Sequence, residues 1–407
     1  MPYLKKNNIL YLSIILFSVF PLLPEKIKGL PVALLTILSI NKLIEWKKVK
    51  FDYKIFIILS SIFLINFFSV FYNLSIHLPF SKIETSLSLM LIPLFFSLAK
   101  NDENILNRYK KKFIDLFIIS TGILGGISIL YFYKLGLFSG ELKVNSFRQA
   151  ILDIPWLSGH PIYISTYYAI SILFIIYQLK LIKKTVSYIL YFIIFIILVV
   201  NLALLSSKGV LISLLIAIIY YLFTRIKNKK IGLFVTILFI LSFTYIIKTT
   251  PTLERRFREW SKKTTYTRFD PNNSTSIRLE IYKCTIKTIK ESILLGYGWN
   301  KSKGKLFQCY KKNNQYLYKK QYNTHNQYFS LMLNGGIIAL FALIYFMIYV
   351  YIIAIRNKDY LLSAILIFYI LLFFSENILE RQTGIILFIF IVSYFAFLDK
   401  NNSIINL

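Results

Sequence analysis

The chain has 407 residues, of which 57% are hydrophobic and only 16% charged, with 48 Lys and Arg against 18 Asp and Glu. About a quarter of the residues of a soluble domain are charged, so this composition excludes an ordinary soluble protein. The formal charge of +30 does not point to nucleic acid, because many of the cations stand in short clusters between apolar runs, the pattern of basic cytoplasmic loops.

A backbone in hydrocarbon must satisfy its own hydrogen bonds, so each run of about twenty apolar residues reads as a spanning helix. About twelve such runs are expected, over 8–23, 29–45, 54–74, 84–99, 113–135, 160–179, 185–205, 208–224, 231–248, 326–355, 359–376 and 382–398. The ten-residue alternating segments of a β-barrel do not occur. The first run lacks a small-x-small cleavage site and reads as a retained helix. Residues 1–248 thus form an N-terminal bundle of about nine helices, 249–325 a long basic loop, and 326–407 a C-terminal group of about three helices. Counting alternate sides puts Lys5 and Lys6, Lys47, Lys48, Lys50 and Lys54, Arg108 with Lys110, Lys111 and Lys112, Lys180, Lys183 and Lys184, Arg225 with Lys227, Lys229 and Lys230, and Arg356 with Lys358 on one face. That face is expected to be cytoplasmic, with both termini on it.

Three connections fall on the opposite side: residues 136–160, the 249–325 loop, and the turn at 375–382. The loop carries Arg255, Arg256, Arg258, Lys262, Lys263, Arg268, Arg278 and about ten further cations against five carboxylates. Such a charge suits an anionic ligand such as phosphate, or adhesion to anionic lipid head groups. Within it, residues 276–294 space Ile277, Ile281, Ile286, Ile289 and Ile293 as on one helix face, which predicts an amphipathic helix lying at the membrane surface. Cys284 and Cys309 either bridge, if this side is oxidising, or remain free thiols. The three histidines, His77, His160 and His325, lie on this same side without His, Asp or Glu neighbours at ligand spacing, so no metal site is expected. There is no Walker loop, dinucleotide fingerprint or G-x-S-x-G elbow, so no nucleotide or soluble cofactor is expected. His325, where the loop meets a long apolar run, either anchors the interface by hydrogen bonding or takes a proton from a hydroxyl near neutral pH.

Residues 276–345 resemble the signature region of the O-antigen ligase and polymerase family. The matching features are Arg278 on the amphipathic segment, LLGYGWN with Gly296 and Gly298, His325-Asn326-Gln327-Tyr328-Phe329 opening a helix, and Gly335-Gly336-Ile337 within it. His325 and Gly336 meet the His-x10-Gly spacing of the ligases, whereas Tyr282 stands where their Arg-x3-Leu element has leucine. SGHPIYIST around His160, LLSSKG with Lys208, and ENILERQTGIILF with Glu376, Glu380 and Arg381 extend the likeness in the same chain order.

The resemblance implies an all-α polytopic fold, a GT-C-like helical bundle of about twelve transmembrane helices with a large periplasmic loop. It also implies transfer of a glycan from an undecaprenyl diphosphate-linked donor to an acceptor hydroxyl at the periplasmic face of the bacterial inner membrane. The acceptor is the lipid A–core oligosaccharide in a ligase and a lipid-linked repeat unit in a polymerase. Because the donor already carries its leaving group, the reaction calls for neither cofactor nor metal. It calls for a base and for cations that receive the departing diphosphate. His325 is expected to be the base and Arg278 the first of the cations, a guanidinium fork matching phosphate oxygens. Lys208, Arg148, Arg381, Asn326, His160 and Glu376 are expected to bind substrate. Glu376 and Glu380 are further expected to hold Arg381 or Lys208 by pairing, and Gly335-Gly336 to allow close helix packing. Two other classes fit less well. A flippase would place charged residues inside several spans, where this chain has nearly none, and a scaffold would leave the gathering of His325, Arg278 and Lys208 on one side unexplained.

Overall fold

The computed structural model describes residues 2–44, 51–73, 79–99, 103–139, 144–179, 181 and 185–398. His77 and the clusters at Lys47, Lys48 and Lys50 and at Lys180, Lys183 and Lys184 lie outside the described residues. The first eleven helices are α1 (Pro2–Ser18), α2 (Leu30–Ile44), α3 (Tyr53–Ser69), α4 (Phe80–Ser86), α5 (Ser88–Leu98), α6 (Glu103–Lys134), α7 (Val144–Asp153), α8 (Pro161–Gln178), α9 (Thr185–Leu205), α10 (Lys208–Arg225) and α11 (Lys229–Thr249). The basic segment folds as α12 (Pro251–Ser261), α13 (Thr264–Thr267), α14 (Ser274–Glu291), α15 (Ser302–Asn313) and α16 (Gln315–Lys320). The chain then closes with α17 (Gln327–Arg356), α18 (Tyr360–Phe373) and α19 (Gln382–Ala396). There is no strand among the described residues.

Among the described residues eight helices are long and apolar enough to cross a membrane, and the four remaining expected spans are apolar helices of 10–17 residues: Ile9–Ser18, Tyr53–Ser69, Tyr360–Phe373 and Gln382–Ala396. The protein is an all-α polytopic membrane protein. Two of these runs end in tighter turns. The first run leaves α-geometry at Phe20–Leu22, where Pro21 removes a donor, and the third at Val70–Asn73.

Burial around the helix circumference sorts the bundle. Helices α8 and α19 are apolar on every face and buried along nearly their whole length, so they form its centre. Most of α11 is exposed, with Leu233, Phe234, Leu241 and Tyr245 facing outward as lipid-contacting residues do. Lipid tails are as apolar as leucine, so helices in a membrane are also joined by small and polar residues. Thr121 donates to Ser171 at 2.6 Å, and Asn201 donates to the Gly125 carbonyl at 3.1 Å, tying α6 to α8 and α9.

The basic segment has its own small core, in which Ile281, Cys284 and Ile289 of α14 meet Leu306, Tyr310, Leu317 and Leu333. A disulfide joins Cys284 to Cys309 and so α14 to α15. The expected surface-lying amphipathic helix is therefore corrected. The helix forms, but its apolar face is buried against α15 and α17, and only Ile286 and Ile293 of its isoleucines are exposed. Replacing both cysteines with serine is expected to lower unfolding stability by about 3 kcal/mol, the scale for a closed loop of this size, read as a fall in thermal midpoint under non-reducing conditions.

Helix α17 opens at Gly335-Gly336, where Gly336 has φ 64 and ψ −156. The opened turn pairs with the LLGYG segment: Tyr297 N donates to Leu333 O at 2.8 Å, Gly298 N to Asn334 O at 2.9 Å, and Ile337 N to Ile293 O at 2.9 Å. A Cβ on Gly336 would lie 2.1 Å from the Leu294 carbonyl oxygen. Gly336 thus admits a loop backbone and not another helix, which corrects the helix-packing expectation for that residue, whereas Gly335 faces Ile65 and Ser69 of α3 as that expectation had it. Gly336→Ala meets both a left-handed backbone and this clash, and is expected to cost at least about 1–3 kcal/mol, measured as lost thermal stability of the detergent-solubilised protein.

Candidate active site

Three backbone features converge above the bundle. Asn273 caps α14 through the Thr275 and Ser276 amides, which sets Arg278 one turn inside the helix. Asn326 caps α17 by accepting from Phe329 N at 3.1 Å, and its amide donates to Phe374 O at 3.2 Å. His325 stands immediately before that cap at φ 44, a left-handed conformation uncommon outside glycine, and its amide donates to Asn323 Oδ1 at 3.1 Å. The turn between α18 and α19 brings Glu376 beneath both.

Glu376 is the hub. Its Oε1 receives the Arg278 guanidinium, and its Oε2 lies 3.5 Å from His325 Nδ1, close enough for charge attraction but not aligned as a hydrogen bond. Burial alone would raise the Glu376 carboxyl, but Arg278, then His325 and Arg148, outweigh it and hold it down at about 2. The group is therefore a carboxylate at any working pH. Tyr282, one turn beyond Arg278, donates its hydroxyl to the His325 carbonyl at 3.2 Å and to the Phe374 carbonyl at 3.0 Å, locking the three pieces together.

Arg148 reaches the same region from α7, donating to Leu205 O at 3.0 Å and Ser207 Oγ at 3.2 Å. Burial, then the neighbouring Arg256, lowers it to about 10, with Glu376 acting in the opposite sense. Arg256, on α12, is lowered by burial as well; its Nε has no partner and its Nη1 lies 3.8 Å from Glu259. Three guanidinium groups and Lys208 thus share two carboxylates, Glu376 and Glu259, an arrangement with positive charge to spare for an anion.

A polar cavity of about 430 Å³ adjoins this cluster, lined by His160, Lys320, Asn323, His325, Glu376 and Arg381 among others. His160 caps α8, its Nδ1 accepting from Ile162 N at 3.4 Å. Burial and then Arg381 lower its imidazole to about 4, so it is neutral. Arg381 is exposed and makes no ion pair among the described residues.

Of the eight residues expected at the site, His325, Glu376, His160 and Arg381 line this cavity, and Arg278 backs it through Glu376. Arg148 lies behind them. Asn326 is spent on capping. Lys208 is buried and tied to Glu259 at 2.8 Å, Thr275 at 2.9 Å and the Arg256 carbonyl at 3.1 Å, over the Trp260 ring. It fastens α10 to α12 and α14. The expected pairings of Glu376 and Glu380 are corrected accordingly: Glu376 takes Arg278, and Glu380 accepts from Ser330, Asn377 and Asn323. Arg256 and Glu259 were not singled out by the sequence. The signal was present in the spacing of Leu253, Arg256 and Phe257, which puts Arg256 on the face of α12 that packs against the bundle.

Residues 193–344 match the family profile described as O-antigen ligase. That stretch holds Lys208, Arg256, Arg278, His325 and Asn326, whereas Arg148, His160, Glu376 and Arg381 come from outside it. No curated protein matches the chain.

Proposed function

We propose that this chain, which belongs to the O-antigen ligase and polymerase family through residues 193–344, acts as the ligase. It moves a glycan from undecaprenyl diphosphate to a hydroxyl of the lipid A–core oligosaccharide. The observation that carries the reading is His325 facing a polar cavity with Glu376 and Arg278 directly behind it.

In this reading the Glu376 carboxylate beside Nδ1 favours the tautomer with its proton there, leaving Nε2 to accept. The acceptor hydroxyl gives its proton to His325 Nε2 while its oxygen bonds to the anomeric carbon of the donor. The bond from that carbon to the phosphate oxygen breaks, and the diphosphate departs on its lipid. Glu376 offsets the charge of the imidazolium, as a carboxylate behind a catalytic histidine does. The developing charge on the diphosphate falls to Arg278 through its remaining N–H donors, with Arg381, Arg256 and Arg148 around it. An apolar cavity of about 280 Å³ between α8, α9, α10 and α11 reaches Leu253, one turn before Arg256, and suits the isoprenoid tail.

The Cys284–Cys309 bridge beside Arg278 supports a periplasmic site, since disulfides persist in oxidising compartments. The basic clusters of the opposite side, among them Lys110 paired with Asp359 at 3.3 Å, support cytoplasmic termini in a bacterial inner membrane. Tyr282, standing where ligases carry leucine, favours the polymerase as the second reading, with the same chemistry on a lipid-linked repeat unit. The lipopolysaccharide profile of a deletion strain decides between them. Bare lipid A–core with long polymer on the carrier lipid means ligase; a core bearing single repeat units means polymerase; an unchanged profile overturns both.

A further inference from the structure

A second cavity, of about 240 Å³, lies between α4, α15 and the first half of α17. It meets the first at Lys303, Asn323 and Glu380, which line both. We propose that it holds a single pyranose ring of one of the two glycans, next to the ring that reacts; this rests on the transfer reaction proposed above.

The volume is below the roughly 300–1,000 Å³ of drug-sized ligand sites, so it has room for one sugar ring and not for an oligosaccharide. Its walls are amides, hydroxyls, the ammonium groups of Lys82 and Lys303 and the Glu380 carboxylate, with leucines and Trp299 between them. Some of these groups are occupied: Ser302 donates to Asn334 Oδ1 at 2.6 Å, and Gln327 Oε1 accepts from Leu379 N at 2.8 Å. Others are not. Asn66, only 6% exposed, is part of the wall, and its buried carboxamide oxygen has no hydrogen-bond partner among the described residues. The Asn334 and Gln327 NH2 groups make no hydrogen bond among the described residues. Lys82 spends one donor on the Trp299 carbonyl and forms no ion pair among the described residues, though Glu380 on the same wall attracts it. A buried amide oxygen without a partner costs stability unless something fills the space. Sugar hydroxyls, each both donor and acceptor, match such a set, and Trp299 offers an apolar wall to the C–H face of a ring.

The test uses the full-length protein in nanodiscs and two soluble probes. One is the oligosaccharide cleaved from the host's own surface polysaccharide, which stands for the donor glycan. The other is the core oligosaccharide released from its lipid A, which stands for the acceptor. Asn66→Leu removes the unpartnered amide at similar volume, so it should leave the thermal midpoint unchanged or higher, and Lys82→Met serves as a second probe of the same wall. The expected result is that one of the two oligosaccharides binds about tenfold more weakly to both variants, the loss of one buried hydrogen bond, with KM for the corresponding substrate rising in step. Loss confined to the first probe places a donor sugar in the cavity, and loss confined to the second an acceptor sugar. Equal binding of both probes to wild type and variants, or no binding to wild type, overturns the inference and leaves a water-filled space. Normal transfer by Asn66→Leu with unchanged KM overturns it while the reaction stands. Weakened binding in a protein that performs no transfer upholds the sugar site and removes the reaction.

Discussion

Replacing His325 with asparagine is expected to abolish the proposed glycan transfer while the protein still folds, with turnover falling by about 10²–10⁴, the range supplied by a positioned general base. Asparagine is the better choice over alanine because His325 sits at φ 44, and asparagine visits the left-handed region more readily than most residues. It keeps the backbone that ends in the Asn326 cap and the carbonyl that accepts from Tyr282, yet has no nitrogen that takes a proton. Purified protein with a lipid-diphosphate donor gives the rate, and differential scanning in detergent gives the fold. In cells the same variant should leave lipid A–core unsubstituted and polymer on the carrier lipid. Retention of more than a tenth of wild-type turnover by a normally folded His325→Asn would remove the histidine from the chemistry and leave it as the interfacial anchor its position alone would suggest.

How far the sequence carried can be judged at particular residues. Every expected span coincides with an apolar helix, because hydrocarbon imposes length and composition on a segment regardless of its neighbours. The place of His325 at the loop-to-helix junction was legible too, since the junction and the residues after it form a local pattern. The histidine's partner was not. Glu376 lies 51 residues further along and Arg278 47 residues earlier, and no periodicity relates segments brought together by tertiary packing. Hence the sequence pointed Glu376 to Arg381, a near neighbour, or to Lys208, when the fold gives it Arg278. Lys208 misled for a related reason. Its place before an apolar helix looks like a site cation's, and only the fold of α12 reveals that Glu259 has claimed it. The Gly335-Gly336 break was visible as a pair of glycines, but what Gly336 admits, the backbone of residues 293–298, belongs to another part of the chain.

Glu376→Gln is expected to damage stability and activity together, and the two effects separate by a second change. The substitution leaves Arg278 without its counter-ion in a region already holding Arg148 and Arg256, and breaking a buried pair from one side costs about 3 kcal/mol or more. Turnover should fall by at least about 10², since the imidazolium at His325 loses its carboxylate. Adding Arg278→Met to the variant removes the stranded charge, so much of the stability returns, as it does when both members of a buried pair are replaced, while transfer stays lost. The pH dependence follows from the depressed carboxyl, held at about 2 in the fold against about 4.3 for an unperturbed glutamate. A group lowered in this way contributes stability that is fully present above its unfolded value and is lost as pH falls through the folded one. Wild type should therefore lose stability between roughly pH 4.3 and 2 more steeply than Glu376→Gln, and the two curves should converge at the acid end. Parallel curves, or a single variant as active as wild type, would show that the carboxylate neither holds the arginine nor serves the histidine.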